Sequence, residues 1–341
     1  MTEHWLGMFN ERVVQQVAGF PRRRRKGRSR RSCRFTTGAI GVVDRHHVKL
    51  PRIGVVRSKE PTSALLRRIG DGASRILSAT VSEEAGRWYV SFGCEVERRD
   101  RPARLSDDVV GVDLGVQNLA TLSTGEHISN PKPLKRYERR IARLQRELGR
   151  RQAGSGRKRR TQGRLVRCHA KAANVRRDAA HKLTTALGAT YGTVVVEDLN
   201  VRAMTAAPAP APDGAGGHLA NGRAAKAGLN RAVLDTAPAE IRRQLAYKMS
   251  WRSGRLVVAD RFFPSSKTCC RCGAVKAKLP LAERNYRCGT CGLTLERDVN
   301  AARNLAAYGR QVAGSGPETR TPDIERRRSA EIPALTLGFA P

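Results

Sequence analysis

The 341-residue sequence carries 65 Lys and Arg against 30 Asp and Glu, a formal net charge of +35. That length holds two or three domains with at least one real core, while the charge repels itself unless a polyanion offsets it. No apolar run approaches the roughly 18–20 residues of a membrane span and residues 1–20 lack a signal-peptide order, so neither a transmembrane helix nor export is expected, and a cytoplasmic location is. Nucleic acid is the leading partner, because each neutralised phosphate releases counterions. A ribosomal-type or membrane-surface protein is the plainer alternative, since charge alone is not specific.

Residues 1–33 form a basic arm, nearly all basic from Arg22 to Arg31, and are expected to be disordered. From 34 to 105 the pattern is β: Phe35–Gly38, His47–Leu50, Ile53–Arg57, then Ile76–Ser82 and Trp88–Val96 as a hairpin across Glu84-Ala85-Gly86. Short strands with turn signals predict a small barrel or curled sheet. The charged link Arg99–Asp108 marks a domain boundary. Val109–Asp113 is an apolar strand ending in an acid, followed across a glycine-containing turn by a second strand at Leu119–Ser123.

After Pro133, Leu134, Tyr137, Ile141, Leu144 and Leu148 repeat at helical spacing until Gly154-Ser155-Gly156. A second helix follows, with Val166, Ala170, Ala173, Ala180, Leu183 and Leu187 on one face. The pair makes an αα-hairpin over 134–188, with basic residues on its outer surface and on an Arg157–Arg160 link. Nucleic-acid contact is favoured there over a merely solvated face. Thr193–Glu197 is another apolar strand ending in acids, Ala206–Gly217 reads as a loop, Pro238–Trp251 as a helix, and Arg255–Asp260 as a strand. A last helix begins at Asp298 and is expected to stop at Gly309, ahead of a disordered tail over 311–341.

Two constellations carry chemistry. Cys269-x-x-Cys272 and Cys288-x-x-Cys291 have the spacing of a four-cysteine zinc ribbon over 265–294, with Gly273 and Gly292 after a ligand in each knuckle. A closed four-sulfur site leaves no open coordination position and is therefore structural. Cys270 fits the spacing poorly, and Cys33, Cys94 and Cys168 read as ordinary small residues. The second constellation is Asp113, Glu197 and Asp298, two strand-end acids and one in a helix's first turn, which together suit Mg²⁺ or Mn²⁺. Singly each is more often a turn or cap residue. Asp198 competes as a ligand, though period-2 alternation points it opposite Glu197, and Asp260 is a weaker candidate.

Gly111-Val112-Asp113-Leu114-Gly115, Val196-Glu197-Asp198-Leu199-Asn200, Ser265-Ser266-Lys267-Thr268-Cys269 and Arg297-Asp298-Val299-Asn300-Ala301-Ala302 resemble the signature stretches of the insertion-sequence OrfB/TnpB family. The resemblance implies an α/β chain with an RNase H-like (RuvC) mixed sheet over 106–264 and 295–310, an inserted helical hairpin and a zinc ribbon. The β-rich segment 34–105 would be an incomplete, wedge-like nucleic-acid-binding domain. It implies catalytic metal ligation by Asp113, Glu197 and Asp298, zinc ligation by Cys269, Cys272, Cys288 and Cys291, and a transposon-encoded, RNA-guided DNA endonuclease with DNA and a guide RNA as partners. Family proteins usually open with a strand and a helical lobe, where this sequence has about thirty atypical residues, so truncation at the N-terminus is expected. A non-cleaving nucleic-acid-binding remnant and a strand-transfer transposase are the alternatives.

Overall fold

The computed structural model describes residues 31–96, 108–314 apart from 211, 215, 216, 219, 220 and 281, and 336–337. Residues 1–30 of the basic arm, nearly all of the 99–108 link and most of the 311–341 tail therefore lie outside the described residues. The chain divides into two compact units that part at residues 97 and 98.

The first unit is built from β1 (Ser32–Phe35), β2 (Gly41–Val42), β3 (His47–Leu50), β4 (Gly54–Arg57), α1 (Ser63–Gly70), β5 (Ser74–Glu84) and β6 (Arg87–Val96). All the pairings are antiparallel: β2-β3-β4 form one sheet and β1-β5-β6 another, with Thr336–Leu337 on the open edge of β6. Val48 and Leu50 from one sheet share a core with Ala79, Val90 and Phe92 from the other. The β5–β6 turn falls on Ala85-Gly86, both at positive φ, the conformation that matches the twist of a two-residue hairpin.

The second unit holds β7 (Val109–Asp113), β8 (Asn118–Leu122), β9 (His127–Ser129), α2 (Pro133–Gly149), α3 (Gly156–Thr190), β10 (Thr193–Glu197), α4 (Val201–Met204), α5 (Arg223–Thr236), α6 (Pro238–Trp251), β11 (Arg255–Ala259), β12 (Asn285–Arg287), β13 (Thr294–Glu296) and α7 (Arg297–Gly314). Its five-stranded sheet has the order β11-β10-β7-β8-β9, with β7, β8 and β9 antiparallel and β10 and β11 parallel to β7. An antiparallel meander extended by two parallel strands is the RNase H topology, so the mixed α/β fold is as expected. Val110, Val112, Val194 and Val196 pack on one side of the sheet against Leu183 and Leu187 of α3 and Ile241, Leu245 and Met249 of α6. On the other side Val195, Val257 and Ala259 meet Leu305 of α7.

Several expectations are corrected. Arg157–Arg160 is not a link but the first turn of α3, started by Ser155, whose hydroxyl accepts from the Lys158 N–H at 3.1 Å. The front of α3 turns Leu165, Cys168 and Ala172 inward rather than Val166, which is exposed, because Ile141 and Leu144 of α2 lie on that side. The helix α5 was not legible: it buries only Val233, Asp235 and Thr236, so its sequence lacks an apolar stripe. Asp235 is there for a reason of its own. It accepts the Leu134 N–H at 2.8 Å, capping α2 from another helix, and pairs with Arg176 of α3 at 2.8 Å.

Helix α7 does not stop at Gly309 but runs on to Gly314. Gly309 is a close-approach glycine, since a Cβ there would stand 2.3 Å from Val195 Cγ2 and 3.0 Å from Val109 Cγ1. Gly111 is tighter still: a Cβ would lie 1.9 Å from the Ala302 carbonyl oxygen and 2.5 Å from the Ala306 nitrogen. Gly111→Ala should therefore cost about 3 kcal/mol, since the obstructing atoms are helix backbone that cannot rotate away. A urea melt of the variant beside the parent measures this.

Candidate functional site

Register places the acids. Glu197 lies opposite Ala259 and one step beyond the Val196–Val112 pair, beside Asp113, while Asp113 faces Thr121 and Thr121 faces His127. Directly opposed residues share a sheet face, so Glu197, Asp113, Thr121 and His127 make a row on the side that α7 covers. Along β7, Gly111 and Asp113 are two residues apart on that face, a separation of about 6.6 Å. Along α7, Ala302 and Asp298 are four residues apart on one stripe, about 6 Å. With Ala302 seated on Gly111, Asp298 is carried to Asp113.

The electrostatics agree. Burial, then the carboxylates of Glu197 and Asp298, push the Asp113 carboxyl up to about 8, and the Arg297 guanidinium pulls the other way. Each neighbouring acid has a donor of its own: Ser265 Oγ donates to Glu197, and Arg297 Nε to Asp298 Oδ1 at 3.3 Å. His127 Nε2 pairs with Glu296 at 3.1 Å, immediately before Arg297. Register sets Glu197 beside Asp113, and Asp113 feels the charge of both Glu197 and Asp298. The charges of Glu197 and Asp298 thus raise the proton affinity of Asp113.

Asp198 is on the opposite side, clamped by Arg242 Nη1 at 2.5 Å and Arg261 Nη2 at 2.6 Å, and takes no part in the row. Asp260 closes a local turn by accepting the Phe262 N–H at 2.8 Å.

The cysteines form the second site. Sγ atoms of Cys269, Cys272, Cys288 and Cys291 all lie within 4.8 Å of one another, the one such tight group of ligand atoms among the described residues. Cys269 and Cys291 are 3.6 Å apart, as are Cys272 and Cys288. A tetrahedron with Zn–S of about 2.3 Å has edges of about 3.8 Å, so the cluster fits a metal such as zinc. Backbone N–H groups of Cys291 and Thr290 pull the Cys288 thiol down to about 6. The Ala274 N–H also lowers Cys272, but burial and the three neighbouring sulfurs outweigh it and push that thiol up to about 12. Cys288 is therefore the readier thiolate, while Cys272 holds a proton that a cation would displace.

Sequence reasoning missed the residues that join the two sites. Asn300 takes the Cys270 N–H at 3.0 Å and donates to the Thr268 carbonyl at 2.7 Å. Asn304 donates to the Ser265 and Thr268 carbonyls, each at 2.7 Å. Two buried asparagines at i and i+4 inside a helix, where asparagine is a poor former, were the available signal.

A family model described as "Probable transposase" matches residues 91–207, and one described as "Cas12f1-like, TNB domain" matches residues 239–305. A Streptomyces pristinaespiralis protein provisionally named an RNA-guided DNA endonuclease is 37% identical over 311 residues, covering 91% of this chain and 70% of its own length. This chain belongs to the OrfB/TnpB family. The family member InsQ of Escherichia coli K12, with the same provisional name, is 33% identical over 88% of the chain and 71% of its own length. A Mycobacterium tuberculosis member is 38% identical, and the chain spans 64% of it. Among solved structures, a Cas12f1–sgRNA–target DNA complex is similar at a TM-score of 0.49 and 15% identity, over 82% of this chain and 60% of that one.

The Asp113 carboxyl binds its proton more tightly folded than unfolded. Its contribution to stability is full below its ordinary value near 3.8 and is lost as pH rises toward 8. Without added divalent ion, Asp113→Asn should melt higher than the parent at pH 8, with the gap narrowing toward pH 4; Mg²⁺ should raise the parent's Tm and leave the variant's unchanged. Thermal melts across that range check both. At the other site, Cys288→Ser should abolish tight binding of about one zinc per chain, read by metal analysis, and lower the Tm by several degrees.

Proposed function

We propose that this TnpB-family chain is a transposon-encoded, RNA-guided DNA endonuclease that cleaves phosphodiesters at Asp113, Glu197 and Asp298. The observation that carries the reading is the register that sets Glu197 beside Asp113 under the helix bearing Asp298, on a protein of net charge +35. Mg²⁺ or Mn²⁺ held by these three carboxylates would supply an activated hydroxide and a counter-charge for the leaving oxygen.

The chain's own residues do the rest. Asp113 would have to give up its proton to hold a cation, which would tie cation affinity to pH. Ser265 fixes the rotamer of Glu197, and Arg297 offsets the charge of Asp298. Zinc in the Cys269, Cys272, Cys288 and Cys291 cluster would give the ribbon its folding energy, and Asn300 and Asn304 tie that ribbon to the helix that carries Asp298. The arginines on the outer faces of α2 and α3 would grip nucleic-acid backbone, with sequence choice delegated to a guide RNA paired with target DNA. The 34–105 segment is assigned to nucleic-acid binding, and the work of the chain to the cytoplasm. No helix among the described residues is long and apolar enough to cross a membrane.

Protein purified with its co-expressed RNA and incubated with target DNA and Mg²⁺ should nick or cut that DNA. Asp113→Ala, Glu197→Ala and Asp298→Ala should each lower the rate on the order of 10²–10³-fold without loss of nucleic-acid binding. Equal cutting by the triple variant refutes the assignment. Binding without any cutting by the parent identifies a non-cleaving remnant, and joined rather than broken products identify a strand-transfer enzyme.

A further inference from the structure

The strand that carries Ala259 opposite Glu197 ends in a short loop, Asp260 to Ser265, that borders the acid row. Both ends of this loop are fixed. Asp260 accepts the Phe262 N–H, and Ser265 Oγ donates to Glu197. Phe263 packs inward against Tyr308 with ring centroids 4.9 Å apart. Phe262, its neighbour, is 87% exposed. Scattered exposed apolar residues are ordinary, but this one is an aromatic on a backbone held by Asp260, no more than about 11 Å of chain from the residue paired with Glu197.

Its surroundings are cationic by construction. Arg261 precedes it, and Arg242 of α6 meets Arg261 at Asp198, where the two guanidiniums bind the two carboxylate oxygens. Each guanidinium carries five donors and uses one on Asp198 in these pairs, and both side chains stay near half exposed. Asp198 thus holds two arginines side by side, one of them the residue that precedes the exposed Phe262. A cationic backbone track beside an aromatic face is the arrangement that binds unpaired bases, since every base has a face to stack and every nucleotide a phosphate to grip.

We propose that Phe262 is a stacking platform for an unpaired base of the DNA strand that leads into the acid row, with Arg242 and Arg261 gripping the flanking phosphates. The assignment rests on the nuclease reading for the direction of the strand, and on the loop itself for the binding.

The test is fluorescence anisotropy of the full chain, without divalent ion, on a labelled single strand of about 20 thymidines and on a duplex of equal length. Phe262→Ala should weaken single-strand binding about tenfold, within the roughly 5–150-fold range of one lost aromatic stack. Duplex binding should stay within about twofold, and Phe262→Trp should restore the single-strand affinity. Arg242→Gln with Arg261→Gln should weaken single-strand binding and flatten its salt dependence by about 1–2 phosphates' worth of slope. Unchanged single-strand affinity in Phe262→Ala overturns the proposal, as does equal loss on duplex or failure of Phe262→Trp to restore binding. A parent that shows the expected pattern yet never cuts DNA refutes the nuclease reading and leaves this one standing.

Discussion

Everything at the candidate centre depends on how closely α7 lies on β7. Gly111 puts hydrogen where any other residue has a side chain, and the backbone of Ala302 and Ala306 fills that space. The helix cannot sit closer and, lacking large side chains on this stripe, does not sit farther. Because the Gly111–Asp113 step of the strand and the Ala302–Asp298 step of the helix are nearly equal in length, one contact sets where two acids meet. Gly309, against Val195 and Val109, fixes the far end of the same helix and so its direction. A slip of one residue along α7 would turn Asp298 by about 100° and break the cluster without disturbing the sheet.

The same helix is held from outside by the cysteine module. Asn300 and Asn304 bind carbonyls of Ser265 and Thr268 and the Cys270 amide, so the chain entering the ribbon is tied to the first turns of α7. Ser265, in that same stretch, also reaches Glu197. A metal in the sulfur cluster would stiffen a segment that touches one acid directly and another through its helix. The two centres are chemically unlike, soft sulfur and hard oxygen, yet mechanically continuous.

How much of this was legible from sequence follows from what each element buries. The strands Val109–Asp113 and Thr193–Glu197 announce themselves because they are buried on both faces and read as uninterrupted apolar runs. The paired CxxC knuckles are legible because metal geometry fixes the spacing. The helix α5 was not, since its main anchor is a polar one, Asp235. Gly309 was misread as a stop because a glycine that ends a helix and one that lets another backbone approach look identical in one dimension. Asp198 and Glu197 were separated correctly by alternation alone, but nothing in the sequence indicated that Arg242 and Arg261 would converge on Asp198.

Asp235 has a consequence for the helical hairpin. Its single carboxylate holds the N-terminus of α2 through the Leu134 amide and the body of α3 through Arg176. The loop joining the two helices lies some 25 Å away, at the end of seventeen residues of α2. The base of the hairpin is therefore pinned at one carboxylate, while α3 runs on unbroken from the arginine-rich tip into the core.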